Sequence, residues 1–192
     1  FGTGQHETTA GCLAMLGWLR ARGVHPRDIA DIGTGTGPLA IGALKLFPTA
    51  NVIASDIDPV CAEIVDENAG NNAVALGQRP GALHYVTAPG MNHPALASRA
   101  PYDLLIANIL AGPLIELAPD FARAVQPGAY VVLAGLLTRA LHITSGDEFR
   151  GTQVLQGEVI ALRHLFWSLS DAMARTPEAF ADGAFLPGLS AA

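Results

Sequence analysis

The sequence predicts an α/β fold: a doubly wound, mostly parallel sheet with helices on both faces. Two observations carry this expectation. From Asp28 to Gly135, short apolar runs of strand length alternate with longer runs of helical spacing, the pattern of parallel strands joined by right-handed crossovers. The first short run also ends in a glycine cluster, Asp31-Ile-Gly33-Thr-Gly35-Thr-Gly37, directly ahead of a helical run. In such sheets a ligand sits beyond the carboxyl ends of the strands, so the informative residues should follow each strand.

Taken in order, apolar residues at helical spacing run from Thr8 to Leu19, with Thr8 or Thr9 as the N-cap. Asp28 to Gly33 is a short apolar strand, and Leu39 to Phe47 is apolar nearly all round, as a helix packed on a sheet would be. Asn51 to Asp56 is a second strand, and Pro59 to Asn72 a helix with proline at its start. Ala82 to Ala88 and Tyr102 to Asn108 are further strands, followed by a helix from Pro113 to Val125 and a strand from Ala129 to Gly135. Beyond Arg139 the alternation decays: Gly146 to Gly157 is polar, Val159 to Arg175 reads as one helix, and Ala179 to Ala192 as a frayed end. No internal repeat or low-complexity tract is visible.

Composition limits the functions open to the chain. Its 192 residues suit one domain, large enough to bury roughly 70% of the unfolded surface. Half the residues are hydrophobic and 15% are charged, which argues against disorder. A net charge of −6 argues against non-specific nucleic-acid binding and favours a small molecule or a basic protein partner. Cys12 and Cys61 are too few for a disulfide framework and fit a reducing cytoplasm. Neither a membrane span nor a signal peptide is legible. A chain that starts at Phe1 reads as a piece of a longer protein.

Four positions carry chemistry. Glycine lets the backbone turn sharply and approach a ligand closely, and the helix behind Gly33 and Gly35 offers free N–H groups. The spacing is G-x-G-x-G, not the dinucleotide fingerprint G-x-G-x-x-G. Asp56, 23 residues past Gly33 at the end of the next strand, can accept from two ribose hydroxyls; the alternative is a helix cap, a role better suited to Asp58. Asn108, at the mouth of a buried strand, can accept from an amine while its NH₂ donates elsewhere; the alternative is again a cap, for the helix near Pro113. No Cys, His or carboxylate cluster has metal-ligand spacing, so no metal is expected. A Ser-His-Asp arrangement and G-x-S-x-G are also missing. Among the histidines only His6, in the opening FGTGQHETT, stands in a suspicious place.

FGTGQHETT, DIGTGTGPLAIGAL, SDIDP, YDLLIANILAGPLIELAP and PGAYVVLAGLLTR occur in that order between residues 1 and 139. In these segments the chain resembles the bacterial methyltransferases of ribosomal protein L-eleven (the protein methyltransferase A family). These are Rossmann-like class I enzymes that use S-adenosylmethionine. The resemblance implies a protein N-methyltransferase acting on amino groups, lysine side chains or the N-terminal amine, of a ribosomal large-subunit protein. It implies cofactor contacts at Thr9, Gly33, Gly35, Asp56 and Asn108, with Asn108 also catalytic. It makes residues 1–9 a loop that covers the cofactor and joins a recruiting N-terminal domain to a cofactor-binding domain over residues 1–139. A monomer in the cytoplasm, with no nucleic acid and no membrane, completes the expectation.

Gln5 and Glu7 stand where many members carry Thr and Pro, and residues 140–192 do not show the strands that close the family's sheet. That segment is expected to be divergent. Three rivals follow: a class I methyltransferase for another protein or a small molecule, a nicotinamide-dependent oxidoreductase, and a truncated relic without substrate recruitment.

Overall fold

The computed structural model describes residues 7–134; the expectations for residues 1–6 of the covering loop 1–9, for His6 and for residues 135–192 lie outside them, and residues 7–9 of that loop are instead the start of a helix. Helix α1 (Glu7–Ala21) leads into strand β1 (Asp28–Ile32), helix α2 (Pro38–Leu46), strand β2 (Asn51–Asp56) and helix α3 (Cys61–Asn71). A two-residue strand β3 (Ala75–Leu76), strand β4 (Ala82–Thr87) and the short helix α4 (Pro94–Arg99) follow. Strand β5 (Tyr102–Asn108), helix α5 (Ala111–Ala124) and strand β6 (Val125–Ala134) complete the described chain.

The strands form one sheet in the order β3-β4-β2-β1-β5-β6, and every pair is parallel. The chain runs outward from β1 through β2 to β4, then returns to lay β5 on the other side of β1. That reversal makes a switch point, and the carboxyl ends of β2, β1 and β5 border it side by side. Both sheet faces are covered. Leu16 and Leu19 of α1, Leu39 and Leu44 of α2 and Val65 of α3 pack against Ile29, Val52 and Ile106 on one face. Leu96 of α4 and Leu114 and Phe121 of α5 pack against Ile32, Ile53 and Leu105 on the other. Strands buried on both faces read as continuous apolar runs, which is why β1, β2 and β5 were legible.

Four details differ from the sequence expectation. Helix α1 already includes Glu7, so Thr8 and Thr9 lie in its first turn and are not its caps. Pro59 belongs to the turn before α3, where the Asp58 carboxylate accepts from the Val60 N–H at 3.0 Å. Strand β3 and helix α4 were not anticipated, because two and six residues are too short to display a period. Strand β6 starts at Val125, and its pairing with β5 shifts register between Tyr102 and Leu104, near Gly128 at φ +81°.

Candidate functional site

Gly33 and Gly35 shape the turn between β1 and α2. Gly33 has φ +73°, and a Cβ there would stand 2.1 Å from Cγ2 of Ile109, so any side chain would collide with the residue following Asn108. Its N–H and that of Thr34 both donate to the Ser55 carbonyl, at 2.8 and 2.9 Å, tying the turn to the end of β2. Gly35, at φ +57°, donates its N–H to Oδ2 of Asp56 at 2.7 Å. Only glycine adopts these conformations without strain.

Asp56 sits at the last position of β2. Besides Gly35, it receives the Asp58 N–H on Oδ1 at 3.0 Å. The Cys61 thiol also hydrogen-bonds to the Asp56 side chain, a weak donor that a hydroxyl can displace. Next to it, Ile57 and Val60 are 71% and 61% exposed, two large apolar side chains that offer a flat ring a surface to cover. Burial first, and then the charges of Asp56 and Asp58, push the Cys61 thiol above its usual pKa. A thiol kept protonated is a poor nucleophile.

Across the switch point, Asn108 ends β5. Its Nδ2 donates to Oγ1 of Thr9 at 3.0 Å, and Thr9 is 1% exposed on α1. The N-cap of α5 is Leu110, with no side-chain cap. The geometry therefore places Asn108 against α1 at the mouth of β5, and among the described residues its Oδ1 has no donor.

Asp31, to which the sequence alone assigns no role, heads the same glycine turn. Asp31 is fully buried, and Thr34 Oγ1 donates to its Oδ2 at 2.6 Å, while Oδ1 has no hydrogen-bond partner among the described residues. Burial, chiefly, with repulsion from Asp56, pushes its carboxyl up to about 6, against the Thr34 hydroxyl and the Ala40 backbone N–H, which favour the charged form. Ala40 lies in the first turn of α2, so a carboxylate already faces that helix N-terminus. The signal was present as an acidic residue inside an apolar strand, heading the glycine turn. Ile57, Val60 and Ile109 were also missed, because exposure and close approach have no sequence signature. Among the described residues, no group of three or more His, Cys, Asp or Glu could hold a metal ion.

The structure thus brings Thr9, Gly33, Gly35, Asp56 and Asn108 to one edge of the sheet. The family model for ribosomal protein L11 methyltransferase (PrmA) matches residues 1–150. A second model, 4-hydroxyphenylacetate 3-hydroxylase C terminal, matches residues 121–192 and overlaps the first. A ribosomal protein L11 methyltransferase of Sinorhizobium fredii is 46% identical over 159 residues, which are 81% of this chain and 52% of the relative. That of Mesorhizobium japonicum is 43% identical over 169 residues, 86% of this chain and 56% of the relative. The chain spans about half the length of these curated relatives. The crystal structure of a ribosomal protein L11 methylase from Lactobacillus delbrueckii subsp. bulgaricus has 35% identity and a TM-score of 0.52, covering 68% of this chain and 60% of that one.

Proposed function

The chain belongs to the ribosomal protein L11 methyltransferase family, and from that premise we propose that it carries an S-adenosylmethionine site and a protein N-methyltransferase centre. The substrate would be a ribosomal large-subunit protein, methylated on lysine side chains or the N-terminal amine. A net charge of −6 suits a basic ribosomal protein better than a nucleic acid. We take the protein to act in the cytoplasm as a monomer.

The observation that carries this reading is Asp31. Its buried carboxylate, with Oδ1 unpartnered, lies close enough to Asp56 for mutual repulsion, an arrangement that calls for a cation. S-adenosylmethionine has two positive centres, the sulfonium and the α-ammonium. A dinucleotide would instead bring its pyrophosphate to the N-terminus of α2, where Asp31 already points, so the nicotinamide alternative fits poorly. Asp56 would hold the ribose hydroxyls, Ile57 and Val60 would cover the purine, and Gly33 and Gly35 would let the backbone approach.

When bound, the cofactor supplies a methyl group already activated by positive sulfur. The chain's contribution is position and dryness. Desolvation at the mouth of β5 lowers the pKa of an incoming lysine and favours its neutral form. Asn108 Oδ1 accepts from that amine and fixes the direction of its lone pair. Thr9, by accepting from Nδ2, sets which way the Asn108 amide faces. Among the described residues no side chain is placed as a dedicated base, and solvent takes the proton.

Methyl transfer to purified ribosomal protein, with a relative's N-terminal region fused ahead of Phe1, tests the reading. Transfer that needs both Asp56 and Asn108 is expected. A fusion that binds S-adenosylhomocysteine yet methylates only other proteins would refute the substrate assignment.

A further inference from the structure

The glycine turn has a third attachment, on the side away from β1 and β2. Asn68, on α3, donates through Nδ2 to the carbonyl of Thr36 at 2.8 Å. Thr36 lies between Gly35 and Gly37, so this bond acts on the same few residues that Asp56 holds at the Gly35 N–H and that Asp31 holds at the Thr34 hydroxyl. Asn68 is itself tied in place. Its carbonyl accepts from the Asn72 N–H at 3.1 Å and from the Asn72 side chain at 2.9 Å. Directly beneath the turn, Gly37 packs on the same helix, since a Cβ there would stand 3.3 Å from Cγ2 of Val65. A groove of about 310 Å³ opens here between α1 and α3, lined by Leu13, Thr36, Ile41, Lys45, Asn68 and Asn72. Water in that groove can compete for the Thr36 carbonyl once the amide is removed.

We propose that Asn68 is a positioning residue for the cofactor, holding the Thr36 carbonyl so that the Gly33–Gly37 turn keeps the shape in which Gly35 meets Asp56. The proposal rests on the cofactor site proposed above. A glycine turn is intrinsically loose, because glycine gives up more conformational freedom on ordering than any other residue. Ser55, Asp31 and Asp56 hold the turn from the sheet side, and the Gly37 N–H donates to the Thr34 carbonyl within it. The bond from α3 adds a tie on the outer side, so more of the ordering cost is met on folding and less at cofactor binding. Asn68 touches neither the amine nor Asn108, so its loss should affect cofactor binding and leave the methyl-transfer step at saturation unchanged.

Two variants test this: Asn68→Ala, and Asn68→Asp, which keeps the shape but replaces the donor with an acceptor facing a carbonyl. S-adenosylhomocysteine affinity is measured by calorimetry, with Asp56→Ala alongside and thermal unfolding recorded for each protein. The expected result is affinity about three- to tenfold weaker for Asn68→Ala, and weaker still for Asn68→Asp. In the methyl-transfer assay, KM for the cofactor rises and kcat stays within twofold of the parent. If Asp56→Ala loses affinity while both Asn68 variants bind like the parent, the positioning role is overturned and the site stands. If Asp56→Ala also binds like the parent, the cofactor-site reading itself is overturned. Asn68→Asp binding as tightly as the parent, with Asn68→Ala weakened, shows that volume and not the donor matters, and also overturns the proposal.

Discussion

Asn108 and Thr9 lie 99 residues apart in the chain and meet at 3.0 Å, amide to hydroxyl, where α1 crosses the carboxyl end of β5. Asn108 is thereby committed as a donor on one side and left as an acceptor on the other. Replacing it with alanine should leave the contacts at Gly33 and Asp56 intact and lower cofactor affinity only modestly. Turnover should fall about a hundredfold, since small misplacements of the attacking group are that costly. Steady-state kinetics with ribosomal protein decide it, and turnover within twofold of the parent would leave Asn108 without a catalytic part.

Thr9→Val keeps the volume of the side chain and removes the acceptor. The Asn108 amide then loses a partner in a part-buried place, a loss of roughly 1–3 kcal/mol. Turnover should drop by about tenfold or more, while Asn108→Ala and the double variant should be nearly equal, because both residues act through one group. Additive losses in that cycle would separate the two roles.

Asp56→Ala removes the acceptor for the Gly35 N–H as well as the proposed ribose partner. Hydrogen bonds to a charged group contribute roughly 1.5–3 kcal/mol each. Affinity for S-adenosylhomocysteine should fall at least tenfold by calorimetry, and unchanged affinity would exclude Asp56 from the site.

Asp31 ties stability to pH. Its carboxyl is pushed from 3.8 to about 6, so the folded state holds the proton more tightly than the unfolded one. Its favourable contribution is complete below about pH 4 and is lost as pH rises through about 6. At neutral pH the buried charge costs up to roughly 3 kcal/mol. Asp31→Asn should therefore gain stability over the parent between pH 5 and 7.5 in urea unfolding, and should bind cofactor more weakly. A stability difference that does not grow with pH over that window would contradict this account.

Gly33→Ala meets both a left-handed φ and Cγ2 of Ile109 at 2.1 Å. A loss of about 2–4 kcal/mol is expected. Adding Ile109→Ala should recover part of it by removing the collision, although not the backbone strain. No recovery in chemical denaturation would show that the strain alone decides the cost.

Most of the sheet was legible because β1, β2 and β5 are buried on both faces and appear as unbroken apolar runs ending in Gly33, Asp56 and Asn108. Helix α4 and strand β3 were not, since six and two residues hold no period. The site was legible where backbone freedom or a lone polar group stood at a strand end. It was hidden where its meaning depends on a distant partner: the sequence shows neither the buried, unpartnered oxygen of Asp31 nor the bond from Asn68 to the Thr36 carbonyl. The sequence places Thr8 and Thr9 at a helix start, where either fits a cap, whereas the partner of Thr9 is Asn108, 99 positions away.

The most direct test of the central claim is amide chemical-shift mapping of the isotopically labelled chain on addition of S-adenosylhomocysteine. Saturable shifts are expected at Gly33, Gly35, Asp56, Ile57 and Asn108, with β4 and α4 little changed. Saturable shifts that leave the Gly33–Gly37 turn and Asp56 untouched, or a folded chain with no shifts at millimolar ligand, would contradict it.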